Sequence, residues 1–164
     1  MIKLLVLDVD GCLTDSGISY TQNGDEFKTF SVKDGLAIAS WIRLGGDVAI
    51  ITGRSSKIVE KRAKELGIKE IHQGIKDKKS KLQEILENLD LTLQNVAAIG
   101  DDLNDYAMLK SVKRSFTPND GVSDIKEIVD ITLSKNGGDG AVREMIEIIL
   151  KDEKRYEEFL HLWL

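Results

Sequence analysis

Short apolar segments alternate with helical segments along most of this 164-residue chain. The apolar segments lack the polar face of an exposed strand, which is typical of strands buried in a parallel sheet. We predict strands at residues 2–9, 48–51, 70–72, 95–99, 112–116 and 131–133, and helices at 33–44, 55–66, 78–88, 102–110, from 121 onward and at 140–150. This order predicts an α/β fold, with a Rossmann-like three-layer α/β/α arrangement around a central, mostly parallel sheet.

A small β-hairpin is predicted after the first strand, at residues 17–31. Asn23-Gly24 is a strong signal for a tight hairpin turn, because both residues tolerate positive φ. The hairpin contains four large apolar side chains, which are Ile18, Tyr20, Phe27 and Phe30. This is more apolar surface than a free hairpin should expose to water, so we expect it to pair with other copies of the chain.

The composition fits one domain, which we assign to residues 1–150, followed by a charged tail at 151–164. The net charge of −5 is not offset by any basic run, so neither a nucleic acid nor a membrane surface is expected as a partner. Cys12 is the one cysteine, which excludes an intrachain disulfide. No apolar run approaches the ~20 residues that span a bilayer, and the first apolar segment is interpreted as a buried strand and not as a signal peptide. A cytoplasmic location is therefore expected.

The first strand ends in two aspartates, Asp8 and Asp10, which are followed by Gly11. Side chains two apart on a strand point the same way, and carboxylates this close require a cation or a proton. Gly11 permits a sharp turn after the pair. Because ligands of parallel α/β sheets bind at the carboxyl ends of the strands, we predict that these carboxylates face a ligand. A solvated loop is the alternative.

Two further segments offer groups that can bind an anion. Thr52 and Gly53 end the second buried strand and precede a helix, where a hydroxyl and an unhindered N–H can hold an anion. Lys78 stands at the start of another helix and could neutralise phosphate oxygens as a point charge. Taken singly, each segment is better explained as an ordinary turn or a solvated helix start.

A second acidic cluster follows the strand at 95–99. Asp101, Asp102 and Asp105 lie within five residues and repel one another unless a cation is present. Carboxylate oxygens suit a hard metal ion, whereas helix capping would explain one aspartate but not three. The four clusters fall on successive strand ends, so together they indicate one site.

In this order the motifs resemble those of the haloacid dehalogenase (HAD) superfamily of phosphohydrolases, across residues 2–150. The matching motifs, first to fourth, are Asp8-Val9-Asp10, Thr52, Lys78, and Asp101-Asp102 with Asp105. The chain is more similar still to the 3-deoxy-D-manno-octulosonate 8-phosphate (KDO 8-phosphate) phosphatase subfamily, in the stretches 8–15, 23–24, 30–35, 51–54, 72–74, 100–105 and 137–144. Cys12 stands where the first motif often has threonine, and Ser16 replaces a glycine common after it.

The resemblance implies a phosphatase that works through an aspartyl-phosphate. Asp8 would attack phosphorus, and Asp10 would give a proton to the leaving oxygen and then take one from the attacking water. Thr52, the N–H of Gly53 and Lys78 would bind the phosphate oxygens.

The resemblance also implies Mg²⁺ as the cofactor. Asp8, the backbone carbonyl of Asp10, and Asp101 would hold the ion, and Asp102 and Asp105 would act through water or behind these ligands.

For the substrate, the resemblance implies a sugar acid phosphate, with Arg54 and Lys33 near its carboxylate and Arg143 as a weaker candidate. Each of these cations could equally be a surface or ion-pairing residue. The subfamily is tetrameric, so we expect a homotetramer whose hairpins pair and help to build the active site. A hairpin folded onto its own domain is the alternative.

Other functions fit parts of this pattern. A longer, sialic-acid-like sugar acid phosphate is an alternative substrate. A receiver domain would also use acidic residues, Mg²⁺, Thr and Lys, but the Asp-x-Asp pair is not expected there. A non-catalytic oligomerisation domain is disfavoured because every motif residue is present. A phosphomutase usually has a cap domain, and the segment between Asp15 and Val48 has room only for a hairpin and one helix. We therefore predict a capless hydrolase.

Overall fold

The computed structural model describes all residues from 1 to 164 and contains a six-stranded parallel sheet with the order β5-β4-β1-β6-β7-β8. The strands are β1 Leu4–Leu7, β2 Ser19–Tyr20, β3 Glu26–Phe27, β4 Asp47–Ile51, β5 Glu70–His72, β6 Val96–Ile99, β7 Arg114–Thr117 and β8 Ile131–Thr132. The helices are α1 Val32–Arg43, α2 Lys57–Glu65, α3 Lys78–Leu89, α4 Tyr106–Leu109, α5 Ser123–Lys126, α6 Ala141–Asp152 and α7 Tyr156–His161. The predicted α/β architecture with a mostly parallel sheet is confirmed.

The central strand β1 shows why the sheet is covered on both faces. Leu5 and Leu7 belong to a core that also contains residues of α1, α2, α6 and α7. Leu4 and Val6 point to the opposite face, into a core formed with residues of α3, α4 and α5. All four side chains are fully buried, so this strand needs an apolar residue at every position. The charged residues begin where the strand ends.

The hairpin is present but shorter than predicted. Strands β2 and β3 contain two residues each, with Ser19 opposite Phe27 and Tyr20 opposite Glu26. Tyr20 and Phe27 remain 59% and 53% exposed in the single chain. No helix of the chain is both long and apolar enough to cross a membrane.

The segment predicted as a helix at 102–110 is instead a 3₁₀ turn, Leu103–Asp105, followed by the short helix α4. The side chain of Asp102 accepts the N–H of Leu103, and the side chain of Asp105 accepts the N–H groups of Asp101 and Asp102. Aspartate side chains that bind nearby N–H groups compete with regular helix formation. The predicted first strand likewise ends early, because the N–H groups of residues 12–14 all turn back to the carbonyl of Val9.

Residues 151–164 lie against the domain. Helix α6 continues to Asp152, and α7 buries Phe159 in the core shared with β1. The indole N–H of Trp163 donates to the hydroxyl of Ser40 at 3.0 Å.

Helices α1 and α6 are joined through a buried carboxylate. Asp34 on α1 is 1% exposed, and its Oδ1 accepts the N–H of Arg143 in the first turn of α6 at 2.8 Å. Its Oδ2 has no partner. Burial raises the pKa of Asp34 to about 6, although the N–H groups of Arg143 and Gly140 act to lower it. Folding therefore makes the carboxyl of Asp34 easier to protonate than it is in the unfolded chain.

Asp34 should make the folded protein less stable as the pH rises. Its contribution is complete below the unfolded-state pKa of about 4 and is lost as the pH rises through about 6, a difference of about 3 kcal/mol. Asp34→Asn keeps an oxygen acceptor for Arg143 but cannot ionise. We expect it to be at least as stable as the wild type at pH 8 and to remove this decline between pH 4 and pH 7, measured by urea unfolding. The exposed Asp90→Asn is the control, and an unchanged decline in Asp34→Asn would contradict the prediction.

Candidate active site

The predicted nucleophile lies just beyond the end of β1. Asp8 is 4% exposed, and its Oδ1 accepts a hydrogen bond from Lys78 Nζ at 2.6 Å. The same ammonium group donates to Asp105 at 2.6 Å. Lys78 is itself buried at the start of α3, where Asp77 caps the helix by accepting the N–H of Ser80. Two chain segments 70 residues apart thus meet in one buried ion pair.

The carboxylates here are crowded. Burial, followed by the charge of Asp105, raises the pKa of Asp8 to about 7, although Lys78 acts in the opposite direction. Burial and then the charge of Asp8 raise the pKa of Asp101 to about 8. The positive charge near these two carboxylates is therefore too small to hold their pKa values at the usual level. A divalent cation bound by both would favour their ionised forms.

The residues around Asp8 fit a metal ion. Ligand atoms of Asp8, Cys12 and Asp101 lie within 4.8 Å of one another. Asp101 also closely approaches the backbone of Gly11, where a Cβ atom would lie 2.0 Å from its Oδ2. Burial, followed by the charge of Asp8, raises the pKa of the Cys12 thiol well above its usual value. The thiol thus stays neutral, and the carboxylate oxygens are the groups suited to Mg²⁺.

Asp105 supports the loop that carries Asp101, a role that could not be assigned from the sequence. It is fully buried, and its Oδ2 accepts the N–H groups of Asp101 and Asp102 at 3.0 and 3.4 Å. A Cβ atom on Gly100 would lie 2.6 Å or less from Asp105, so the glycine is needed for this approach. Asp105 therefore shapes the loop that carries Asp101, while its other oxygen binds Lys78.

The loop after β1 packs against two glycines that precede α6. A Cβ atom on Gly137 would lie 1.9 Å from the carbonyl oxygen of Gly11, and the N–H of Gly138 donates to the carbonyl of Cys12 at 3.0 Å. A Cβ atom on Gly138 would lie 2.8 Å from the backbone of Thr14. The backbone of the nucleophile loop therefore packs directly against that of residues 137–138.

An open cavity of about 290 Å³ joins the predicted residues. Its lining consists of Asp8, Asp10, Ser16, Ile18, Thr52, Gly53, Arg54, Asp101, Asp102 and Asn104. Thr52 is 2% exposed and follows β4, so its position is fixed by the sheet. Ser16, Ile18 and Asn104 were not predicted. The position of Asn104, inside the fourth motif, is the one signal that could have indicated it.

The hairpin contacts the predicted general acid/base of its own chain. Lys28 Nζ lies 2.5 Å from Asp10 Oδ1 and 3.0 Å from Glu26 Oε1. Arg54 donates to the hydroxyl of Tyr20 at 3.3 Å and to Glu26 at 3.5 Å. Although burial acts to lower it, hydrogen bonds to Asp10 and Glu26 raise the pKa of Lys28, so this side chain stays charged. Lys28 was not among the predicted site residues.

Lys33 does not line this cavity in the single chain. It lies in the first turn of α1 and lines a separate groove of about 320 Å³ together with Arg143. The guanidinium of Arg143 is paired with Glu147 at 2.7 Å. Of the three cations predicted near the sugar acid, only Arg54 therefore lines the cavity that contains Asp8.

Similar proteins share both the sequence and the fold. A family profile of haloacid dehalogenase-like hydrolases matches residues 68–146. The 3-deoxy-D-manno-octulosonate 8-phosphate phosphatase of Escherichia coli K12 is 39% identical over 157 residues, which are 96% of this chain and 84% of that protein. The Haemophilus influenzae phosphatase of the same name is 36% identical over 158 residues, covering 96% and 88%.

Solved structures agree with this relationship. The Moraxella catarrhalis phosphatase of that name, crystallised with magnesium, phosphate and KDO, is 40% identical and has a TM-score of 0.96 over 99% of this chain and 94% of its own. The cobalt-bound Haemophilus influenzae enzyme has a TM-score of 0.88 at 37% identity, covering 92% and 88%. The chain therefore belongs to the haloacid dehalogenase-like hydrolases and, within them, to the family of 3-deoxy-D-manno-octulosonate 8-phosphate phosphatases.

Proposed function

We propose that this protein is a Mg²⁺-dependent phosphatase that removes phosphate from 3-deoxy-D-manno-octulosonate 8-phosphate. The observation that carries the proposal is the cavity in which the aspartate pair, the Thr52-Gly53 segment and the second acidic cluster meet. The similar Moraxella catarrhalis enzyme, crystallised with magnesium, phosphate and KDO, supports the choice of cofactor and sugar.

In the proposed reaction, a carboxylate oxygen of Asp8 attacks phosphorus as the bond to the sugar oxygen breaks. Asp10 gives its proton to that oxygen, and the free sugar acid leaves. Asp10 then takes a proton from the water that attacks the aspartyl-phosphate, which releases inorganic phosphate and restores Asp8. Thr52 and the N–H of Gly53 bind phosphate oxygens, and Lys78 offsets their charge through its contact with Asp8.

Asp8, Asp101 and the backbone carbonyl of Asp10 would hold Mg²⁺, with Asp102 acting through water. When bound, the ion offsets the charge that would otherwise repel a carboxylate from a phosphate dianion. Arg54, which lines the cavity and is 46% exposed at its side chain, is proposed to bind the carboxylate of the sugar acid.

The test is steady-state hydrolysis of a panel of phosphate esters by the purified protein. The panel contains KDO 8-phosphate, the phosphate of a longer sialic-acid-like sugar acid, glucose 6-phosphate and a nucleotide. We expect the highest kcat/KM with KDO 8-phosphate. A clear preference for the longer sugar acid phosphate would make that compound the assigned substrate. A preference for glucose 6-phosphate or the nucleotide would refute the sugar-acid assignment.

Removal of the metal should abolish activity. Burial and then repulsion by neighbouring aspartates raise the pKa values of Asp8 and Asp101, and a bound cation would favour the ionised forms of both. We expect phosphate release to stop in excess EDTA and to return when Mg²⁺ is added in excess over the chelator. Full activity in EDTA would contradict the metal assignment.

We further propose that the protein assembles as a homotetramer through its hairpins. The exposed Tyr20 and Phe27 support this, because a two-stranded hairpin with exposed aromatic side chains is marginal in water. Phe27→Glu should lower the mass measured by light scattering, whereas the exposed Lys126→Glu should not. A fully active wild-type monomer at assay concentration would contradict the proposal. The cytoplasmic location stays a prediction.

A further inference from the structure

Lys28 is a buried cation of the hairpin that the reaction described above does not use. Its side chain is 1% exposed although the residue as a whole is half-buried, and a lysine side chain enclosed in this way is rarely left unpaired. Its partners are Asp10 Oδ1 at 2.5 Å and Glu26 Oε1 at 3.0 Å. Because Lys28 does not line the cavity, it can act on a substrate only through residues that do, and Asp10 is the one that it binds directly.

The two oxygens of Asp10 have different surroundings. Oδ1 is bound by the Lys28 ammonium group, whereas Oδ2 has Arg54 Nε at 4.0 Å, which is beyond hydrogen-bond distance. Asp10 itself is a cavity-lining residue. A carboxyl group that transfers protons must reach the leaving oxygen with a defined atom, and a second group bound to its other oxygen restricts its rotation.

We propose that Lys28 is a positioning residue for proton transfer: it binds Oδ1 of Asp10 and thereby presents Oδ2 to the oxygen of the leaving group. Glu26 holds the ammonium group from the other side and is in turn bound by Arg54. The hairpin thus aligns the acid/base of its own chain. The proposal rests on the phosphatase function given above.

Lys28 could instead serve only to attach the hairpin to the domain. The two roles differ in how the effect of a substitution depends on the leaving group. An alkoxide of a sugar needs a proton as it leaves, whereas p-nitrophenolate leaves without one. The kcat/KM value includes only the steps up to departure of this first product, so the later hydrolysis of the aspartyl-phosphate does not obscure the comparison.

The experiment measures kcat/KM of Lys28→Met with p-nitrophenyl phosphate and with the best alkyl phosphate of the wild-type protein. For the alkyl ester we expect a loss of about 10²-fold, and for the aryl ester a loss of less than about 5-fold. Lys28→Arg, which keeps a charged donor, should recover part of the alkyl activity. The exposed Lys126→Met is the control.

A double-mutant cycle with Asp10→Asn completes the test. If Lys28 acts through Asp10, Lys28→Met should change alkyl kcat/KM less than about 3-fold in the Asp10→Asn protein. Equal losses for both esters, or additive losses in the cycle, would overturn the proposal. If Lys28→Met does not fold, kcat/KM with the two esters is compared in Lys28→Arg instead. Failure of the proposed function would be visible separately, as a wild-type protein without phosphatase activity.

Discussion

Asp8→Asn is expected to lower kcat by at least about 10⁴-fold, since the carboxylate that attacks phosphorus is replaced by a poor nucleophile of nearly the same shape. The fold should persist, because the amide oxygen can still accept the hydrogen bond from Lys78, and Asp105 remains as the second partner of that cation. Burial of an ionised Asp8 is unfavourable, so the melting temperature should not fall.

The measurement combines phosphate release under saturating substrate and Mg²⁺ with thermal unfolding of the same preparation. Asp124→Asn makes the same chemical change on the exposed first turn of α5 and should leave both readouts unchanged. Substantial turnover by pure Asp8→Asn would exclude Asp8 as the nucleophile. Inactivity accompanied by unfolding would show that Asp8 is needed for the fold, and the expectation of an intact fold would be wrong.

Lys78→Met should affect both stability and catalysis. Methionine has a similar length but no charge, so Asp8 and Asp105 would be buried together without the cation that binds them both. Removing one partner from a buried ion pair destabilises a protein by about 3–5 kcal/mol. The loss should be smaller at acid pH, where Asp8, whose pKa is raised by burial, takes up a proton. We also expect kcat/KM to fall by about 10²–10³-fold, because the charge beside the nucleophile is lost.

Lys79→Met is a matched control, since Lys79 is the next residue of α3 and is exposed. Urea unfolding gives the stability difference, and hydrolysis of the preferred ester gives the activity. The prediction would be wrong if Lys78→Met matched Lys79→Met in both measurements.

Parallel α/β sheets bind ligands at the carboxyl ends of their strands, and this explains which site residues could be predicted from the sequence. Asp8, Thr52 and Asp101 each follow a buried parallel strand, so an apolar run and its end were enough to bring them to one edge of the sheet. Lys78 could be added because it begins the helix after β5. Their chemical roles stay predictions that the substitutions above would test.

Lys28 and Lys33 were harder to place for a physical reason. Both lie outside the strand–helix framework of the sheet edge: Lys28 directly follows hairpin strand β3, and Lys33 is at the start of α1, and the orientation of both segments depends on tertiary packing. Glu26 and Lys28 are two residues apart and share one face of the hairpin, but the sequence does not say which face meets Asp10. Lys33 looks similar in the sequence, yet it lies in the groove beside α6.

The contact between the nucleophile loop and Gly137-Gly138 has a consequence for how the protein becomes active during synthesis. The loop at residues 8–15 leaves the ribosome long before the two glycines that pack against it. A nascent chain that ends before Gly137 has every charged group of the cavity but lacks the backbone that packs against Gly11 and Cys12. Activity should therefore arise only after Gly137 and Gly138 have been made and have packed against this loop, so that a shorter nascent chain does not hydrolyse phosphate esters.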